Sequence, residues 1–169
     1  MSWTIRDERP GDAPAIFALT RDAFADPDIS NGSEPYVVEA LRRDGDLALS
    51  LVAEADGELV GHVAFSPLAI NADEGGWFAL GSISVRRDHR RRGLASSLIR
   101  TGLDRLRAEG ARGCALIGYP AHYRSSGFES DGQLTYGDTP VEYVQRIVFA
   151  GPPPAGELVF APGFGAGAA

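Results

Sequence analysis

Five of the sixteen arginines of this 169-residue chain fall within seven positions, Arg86 to Arg92, and the run closes on Gly93 and the pattern LASSLI. Arginines beside a glycine at a helix start are suited to holding an anion. Glycine lets the backbone come close to a ligand, and the first-turn N–H groups have no intrahelical partner, so they point at whatever anion arrives. The segment Arg86 to Arg92 carries five arginines and one aspartate, net +4, whereas the rest of the chain sets eleven arginines against twenty-two acids, net −11. One concentrated cationic site therefore stands in an acidic protein.

Other chemistries are narrowed by what the chain lacks. It contains no lysine, which removes lysine Schiff bases and the lysine-bearing P-loop. Cys114 is the single cysteine and sits in the apolar run CALIG, which reads as a small buried hydrophobe and excludes both an internal disulfide and a cysteine-rich zinc site. No metal is expected. A net charge of −7 argues against a nucleic-acid partner and fits a small cationic substrate. The first residues, MSWTIRDERPGD, form no apolar run of signal type, and no stretch approaches the roughly 20 apolar residues that span a bilayer, so a cytoplasmic protein without a membrane partner is expected.

The elements that must position the arginine run read as alternating strands and helices. Trp3 to Arg6 is a short strand, and Asp12 offers an N-cap for a helix through AIFALTRDAF. A turn-rich loop, Asp26 to Ser33, leads to a second helix, Glu34 to Arg43, with Ser33 as cap and Pro35 in its first turn. LALSLVAEA and ELVGHVAFSPLAI are two strands joined by Asp56-Gly57, a dipeptide that supplies the positive φ angles of a tight hairpin. A third strand, Trp77 to Val85, runs into the arginines, and the helix Gly93 to Glu109 carries Leu94, Leu98, Ile99, Leu103 and Leu106 at helical spacing before Gly110. Cys114 to Gly118 is a buried-type strand, Ala121 to Ser125 a helical turn, and Tyr143 to Phe149 a late strand that could pair two copies into a homodimer. Residues 1–150 form one domain in this reading. The Pro-, Gly- and Ala-rich stretch 151–169 is then a partly ordered extension with a ragged end.

The strand, arginine loop, helix and strand of residues 77–118 make a β-α-β crossover. Within it, Arg90-Arg91-Arg92-Gly93-Leu94-Ala95 resembles the Arg/Gln-x-x-Gly-x-Gly/Ala motif of the GNAT superfamily of N-acetyltransferases. HYRSSGF, with Tyr123 four residues before Gly127-Phe128, resembles that family's second signature, and SLVAEADGELVGHVAFSPLAI with GYPAHYRSSGF is similar to the YhbS-like subgroup. The resemblance implies an α/β fold of α+β type: a mixed, mostly antiparallel central sheet with a splayed parallel strand pair and helices on both faces.

It also implies acetyl-CoA as cosubstrate. The pyrophosphate would meet Arg90, Arg91, Arg92, Gly93, Leu94, Ala95 and Ser96, with Ser125 nearby, and the pantetheine amides would pair with the strand edge Ile83, Ser84, Val85. Tyr123 would touch the cosubstrate and serve as general acid toward the departing thiolate, since a phenol of pKa about 10 is protonated at neutral pH. Family members often carry a glutamate on the strand before the arginine loop, but GSISV offers only Ser82 and Ser84. Glu34 or Glu39 on the second helix could replace it as base or substrate anchor, with His62 and His122 as further options. The resulting reading is direct acetyl transfer to a primary amine in a ternary complex. Its alternative is a noncatalytic acyl-CoA-binding or sensing domain on the same fold. Arg86 and Arg87 precede the motif and are left without a role.

Overall fold

A computed structural model describes residues 2–167, apart from the Glu74 side chain. The expected ragged end at 168–169 lies outside the described residues. The elements run β1 (Thr4–Asp7), α1 (Ala13–Ala23), α2 (Glu34–Asp44), β2 (Leu49–Ala55), β3 (Glu58–Ile70), β4 (Asp73–Val85), α3 (Leu94–Ala108), β5 (Gly113–Ile117), α4 (Pro120–Tyr123), β6 (Leu134–Thr135), β7 (Val144–Val148) and β8 (Gly156–Phe160). The sheet order is β1-β2-β3-β4-β5-β7, antiparallel throughout except for the pair β4–β5. β8 adds to β3 and pairs in parallel with β6.

Side-chain alternation along the strands supplies two apolar faces. From β2, Leu49, Leu51 and Ala53 join Leu94, Leu98, Ile99, Leu103 and Leu106 of α3 in the main core. Val52 faces the other way, onto Ile16 of α1 and Val38 of α2. Helices thus cover both faces, and α1 lies against β3 and β4. The Asp56-Gly57 turn has the expected left-handed residues, with φ of 53° and 79°.

Several local expectations are corrected. β4 starts at Asp73, not Trp77, because Asn71 takes φ +55° and closes a second tight hairpin in which Ile70 faces Asp73. The acidic, glycine-rich stretch before Trp77 is therefore strand. Asp12 and Ser33 stand at N-cap positions, yet neither side chain caps its helix. The Asp12 carboxylate instead accepts from the Arg6 guanidinium at 2.8 Å and the Arg9 N–H at 2.7 Å, and the Arg6 bond holds its pKa below the usual carboxylate range. Beyond Gly151 the chain does not merely cover the domain. It contributes β8 to the sheet through Leu68–Phe160, Ala69–Val159 and Ile70–Leu158 pairs.

Candidate active site

The site is prepared by a change of partners along β4. Between Val63 and Phe65 of β3, two steps are matched by three on β4, from Ile83 back to Leu80, so β4 bulges around Gly81 and Ser82. Parallel pairing with β5 covers Trp77–Gly113, Phe78–Cys114 and Ala79–Ala115, and ends there. Farther on, Leu116 and Ile117 pair only with Gln145 and Val144 of β7, while Ile83, Ser84 and Val85 pair only with β3. The two strands splay. Among the described residues, the β4 edge through Ile83 has no strand partner, and at its end Arg90 Nε donates to Val85 O at 3.1 Å.

Beyond Val85 a single 3-10 turn, Arg87–His89, leads into a loop where Arg91 and Gly93 are both left-handed, with φ of 63° and 83°. Left-handed residues at alternate positions turn backbone N–H groups into one concavity, the geometry of an anion nest. The ladder of α3 opens with Ser97 N–H donating to Gly93 O at 3.0 Å, so the N–H groups of Leu94, Ala95 and Ser96 precede it and face the same space. Val85, His89, Arg90, Arg91, Gly93, Leu94, Ala95 and Ser96 line a cavity of about 230 Å³. Nothing lies within 4 Å of where a Gly93 Cβ would stand. Six of the seven lining positions after Val85 are motif residues; the seventh, His89, is a buried wall residue that the sequence did not single out.

The arginine run divides. Arg86 donates to Asp88 at 2.8 Å and to Glu58 at 2.8 Å, which raises its pKa further and holds the Asp88 carboxyl well below its ordinary range. Arg91 and Arg92 form no ion pair among the described residues and are exposed beside the nest. Arg87 joins Arg6, Asp12, Asp22 and Glu58 around a larger cavity of about 700 Å³, between α1 and the β2–β3 turn, that meets the nest at Val85 and Arg90.

Within the splay lies a cavity of about 300 Å³ lined by Ile83 and Val85 of β4, Ala95 and Ile99 of α3, His122 and Tyr123, and Ala23 and Phe24 at the end of α1. Tyr123 is held edge-on against Phe128, with ring centroids 6.3 Å apart, and burial pushes its phenol pKa up. Ala23 and Phe24 were not foreseen as site residues, because periodicity marks Phe24 as a core position and is blind to the splay it faces. Ser125 stands outside this cavity, sharing a groove of about 350 Å³ with Ser96, Arg100, Arg107 and Ser126.

The carboxylates expected near this cavity are elsewhere. Glu34 lines neither the splay nor the nest, and its carboxylate accepts from Ser30 in the loop before α2. Glu39 is exposed on α2. No carboxylate is among the residues that line the splay. His62 is fully buried on the opposite face of β3, and burial drives its pKa down to about 4 against the pull of Glu8. Cys114 is buried too, and its thiol pKa is pushed up. No described helix is long and apolar enough to cross a membrane.

Comparison with known proteins gives this geometry its context. The model of the acetyltransferase (GNAT) domain matches residues 4–130. The chain is 40% identical over 126 residues to the uncharacterized N-acetyltransferase YhbS of Escherichia coli K12, covering 74% of this chain and 72% of that protein. Its fold is similar to a GNAT family acetyltransferase from Brucella melitensis in complex with acetyl-CoA, at a TM-score of 0.86, 40% identity and coverage of 96% and 98% of the two chains. It is also similar to the crystal structure of Escherichia coli YhbS in complex with CoA, at a TM-score of 0.89, 32% identity and coverage of 98% and 93%.

Proposed function

Because this chain belongs to the GNAT family of acetyltransferases, we propose that it carries acetyl from acetyl-CoA to a primary amine by direct attack within a ternary complex. The observation that carries this reading is the continuity of an open strand edge with an anion nest. A ligand with a pyrophosphate at one end and an amide-bearing arm at the other fits both. The solved relatives from Brucella melitensis and Escherichia coli hold acetyl-CoA and CoA.

In this reading the N–H groups of Gly93, Leu94, Ala95 and Ser96 bind pyrophosphate oxygens, and Arg91 and Arg92 add charge from outside. Arg90 contributes indirectly by bracing Val85 O, which fixes where the strand edge ends. The backbone of Ile83, Ser84 and Val85 pairs with the pantetheine amides, and a donor there stabilises the oxyanion formed on attack. Ser125 borders the outer groove, beside the two arginines Arg100 and Arg107. Tyr123 holds the proton that the thiolate needs on leaving. Its burial keeps the phenol protonated throughout the neutral range. Attack is direct because Cys114, buried and held as a thiol, is no acetyl carrier. The chain's net charge of −7 favours a cationic acceptor.

Acetyl-CoA at saturation should raise the melting temperature by several degrees, because it binds only the folded chain. Thiol release on adding a panel of amines then reads turnover. Binding without thiol release from any amine would leave only the acyl-CoA-binding alternative, and no melting shift would remove both. Replacing Tyr123 by Phe should lower kcat about 100-fold while the affinity for acetyl-CoA holds within a few fold. An unchanged kcat across pH removes Tyr123 from the role.

A further inference from the structure

Beneath α1, on the sheet face opposite α3, four buried polar atoms find no hydrogen-bond partner: His62 Nδ1, Ser66 Oγ, Ser82 Oγ and Ser84 Oγ. They are neighbours. His62 and Ser84 are directly paired across β3 and β4, so their side chains share a face; Ser66 lies four residues along β3, and Ser82 is in the β4 bulge. Buried polar groups are normally satisfied, and neighbouring orphans on one sheet face are the setting in which ordered water completes the bonding.

The protonation state of His62 follows from its other nitrogen. Nε2 lies 2.8 Å from Ser50 Oγ, while Ser50 Oγ donates its one hydrogen to Glu8 Oε1 at 2.7 Å. Ser50 must therefore accept from His62, which places the imidazole proton on Nε2 and leaves Nδ1 a bare acceptor. Glu8 is fixed in turn by Arg42, through bonds of 2.8 Å and 2.8 Å. Burial would raise the Glu8 pKa, but the bonds from Arg42 and Ser50 outweigh it and hold the carboxyl below its ordinary value. The chain Arg42–Glu8–Ser50–His62 thus locks one tautomer from the surface inward. His62 at its inner end is paired across the strands with Ser84, and Ser82 and Ser84 flank Ile83, a wall of the splay whose lining holds no carboxylate.

We infer that this strip is an ordered-water site that first receives the proton lost by the attacking amine, with His62 positioning that water through the bare Nδ1. The inference rests on the acetyl-transfer reading. As the amine nitrogen bonds the acetyl carbon, its N–H bond breaks and the proton passes to the water held by Nδ1. His62 stays neutral and keeps its Nε2–H on Ser50. The carbon–sulfur bond breaks, the thiolate takes the Tyr123 proton, and the proton on the strip's water passes to Tyr123. The sum is one proton from amine to thiolate, with no other reactant.

Two measurements test it. Nitrogen-15 NMR of histidine-labelled wild type should show His62 as the Nε2–H tautomer at neutral pH, and Ser50→Ala should release that preference; an Nδ1–H signal in the wild type overturns the inference without reference to any variant or activity. In thiol release, His62→Leu should lose at least tenfold in kcat at unchanged acetyl-CoA affinity and amine KM, and His62→Asn, whose Oδ1 can stand where Nδ1 stood, should recover most of it. A wild type that turns over beside an equally fast His62→Leu overturns the inference alone. A wild type that releases no thiol overturns the acetyl-transfer reading, and the inference with it.

Discussion

The two halves of β4 differ in how many neighbours hold them. At Phe78 and Ala79 the strand is paired on both sides, to β3 and to β5, Trp77 is paired to β5, and Trp77 and Ala79 are buried. Past the Gly81–Ser82 bulge, from Ile83 to Val85, it is paired only to β3, and the free edge lines the splay. One strand thus serves as sheet interior and as site wall. The aperture is therefore set by the closed half: the place where pairing to β5 stops determines where the open edge begins.

The largest effect should come from breaking the closed half. Gly113 is flat against Trp77, since a Cβ there would stand 2.4 Å from the indole and 2.5 Å from Ile147 O. Trp77→Ala removes the side chain that fills this contact, which costs about 4 kcal/mol and lowers the melting temperature by roughly 10 °C. Calorimetry or urea unfolding reads it. Stability equal to wild type would mean that the closed half is not what holds the aperture.

Acidification probes the layer under the open half. Folded His62 stays neutral down to about pH 4, whereas in the unfolded chain it takes a proton below about pH 6.5. Between those values the unfolded chain binds more protons, so stability rises with pH and falls on acidification, by up to about 3 kcal/mol at pH 4. Glu8 acts in the same direction, because its lowered carboxyl loses stabilisation as it protonates. Urea midpoints at pH 7 and pH 4.5 should show the decline, and His62→Asn should flatten it. An identical decline in the variant would assign the effect elsewhere.

How much of this contrast was legible in the sequence depends on how local its causes are. The nest was readable because Arg90-x-x-Gly93-x-Ala95 places its glycine at the one junction where a left-handed residue and close approach are both required. The Asp56-Gly57 hairpin and α3 were readable for the same local reason. The second hairpin was not, since Asn71-Ala72 lacks the glycine that usually marks such a turn. β6 has two residues, and β8 lies in a stretch whose composition reads as tail; both exist because β3 outruns β2 and leaves Leu68 to Ile70 to be paired. Glu34 stands away from the splay for a tertiary reason. Nothing within α2 says how far its first turn stands from β4.

Breaking the open half should cost binding and little stability. Gly93→Val puts a branched side chain at φ +83°, where no neighbouring atom lies within 4 Å. The backbone strain there is about 1–2 kcal/mol. The side chain would occupy the nest itself, and losing two charge-assisted bonds to an anion weakens acetyl-CoA about 100-fold. Calorimetric titration checks it, and a Kd within threefold of wild type would reject the nest as the phosphate site.

The smallest effect sharpens the comparison most, because it concerns an arginine that belongs to the cationic run by sequence and to neither half by structure. Arg86 spends its guanidinium on Asp88 and Glu58, both exposed carboxylates, so its charge is already compensated at the end of β4. Arg91 and Arg92 have no such partners among the described residues and remain available to an anion. Arg86→Ala should therefore leave acetyl-CoA affinity within twofold. Exposed ion pairs contribute little, so the melting temperature should move by less than about 3 °C. The Arg91→Ala, Arg92→Ala double variant should weaken binding about tenfold and steepen with falling salt, as an uncompensated charge facing a phosphate does. If Arg86→Ala instead matched the double variant, compensation by Asp88 and Glu58 would be too weak to matter. The run would then act as one undivided field over the open half.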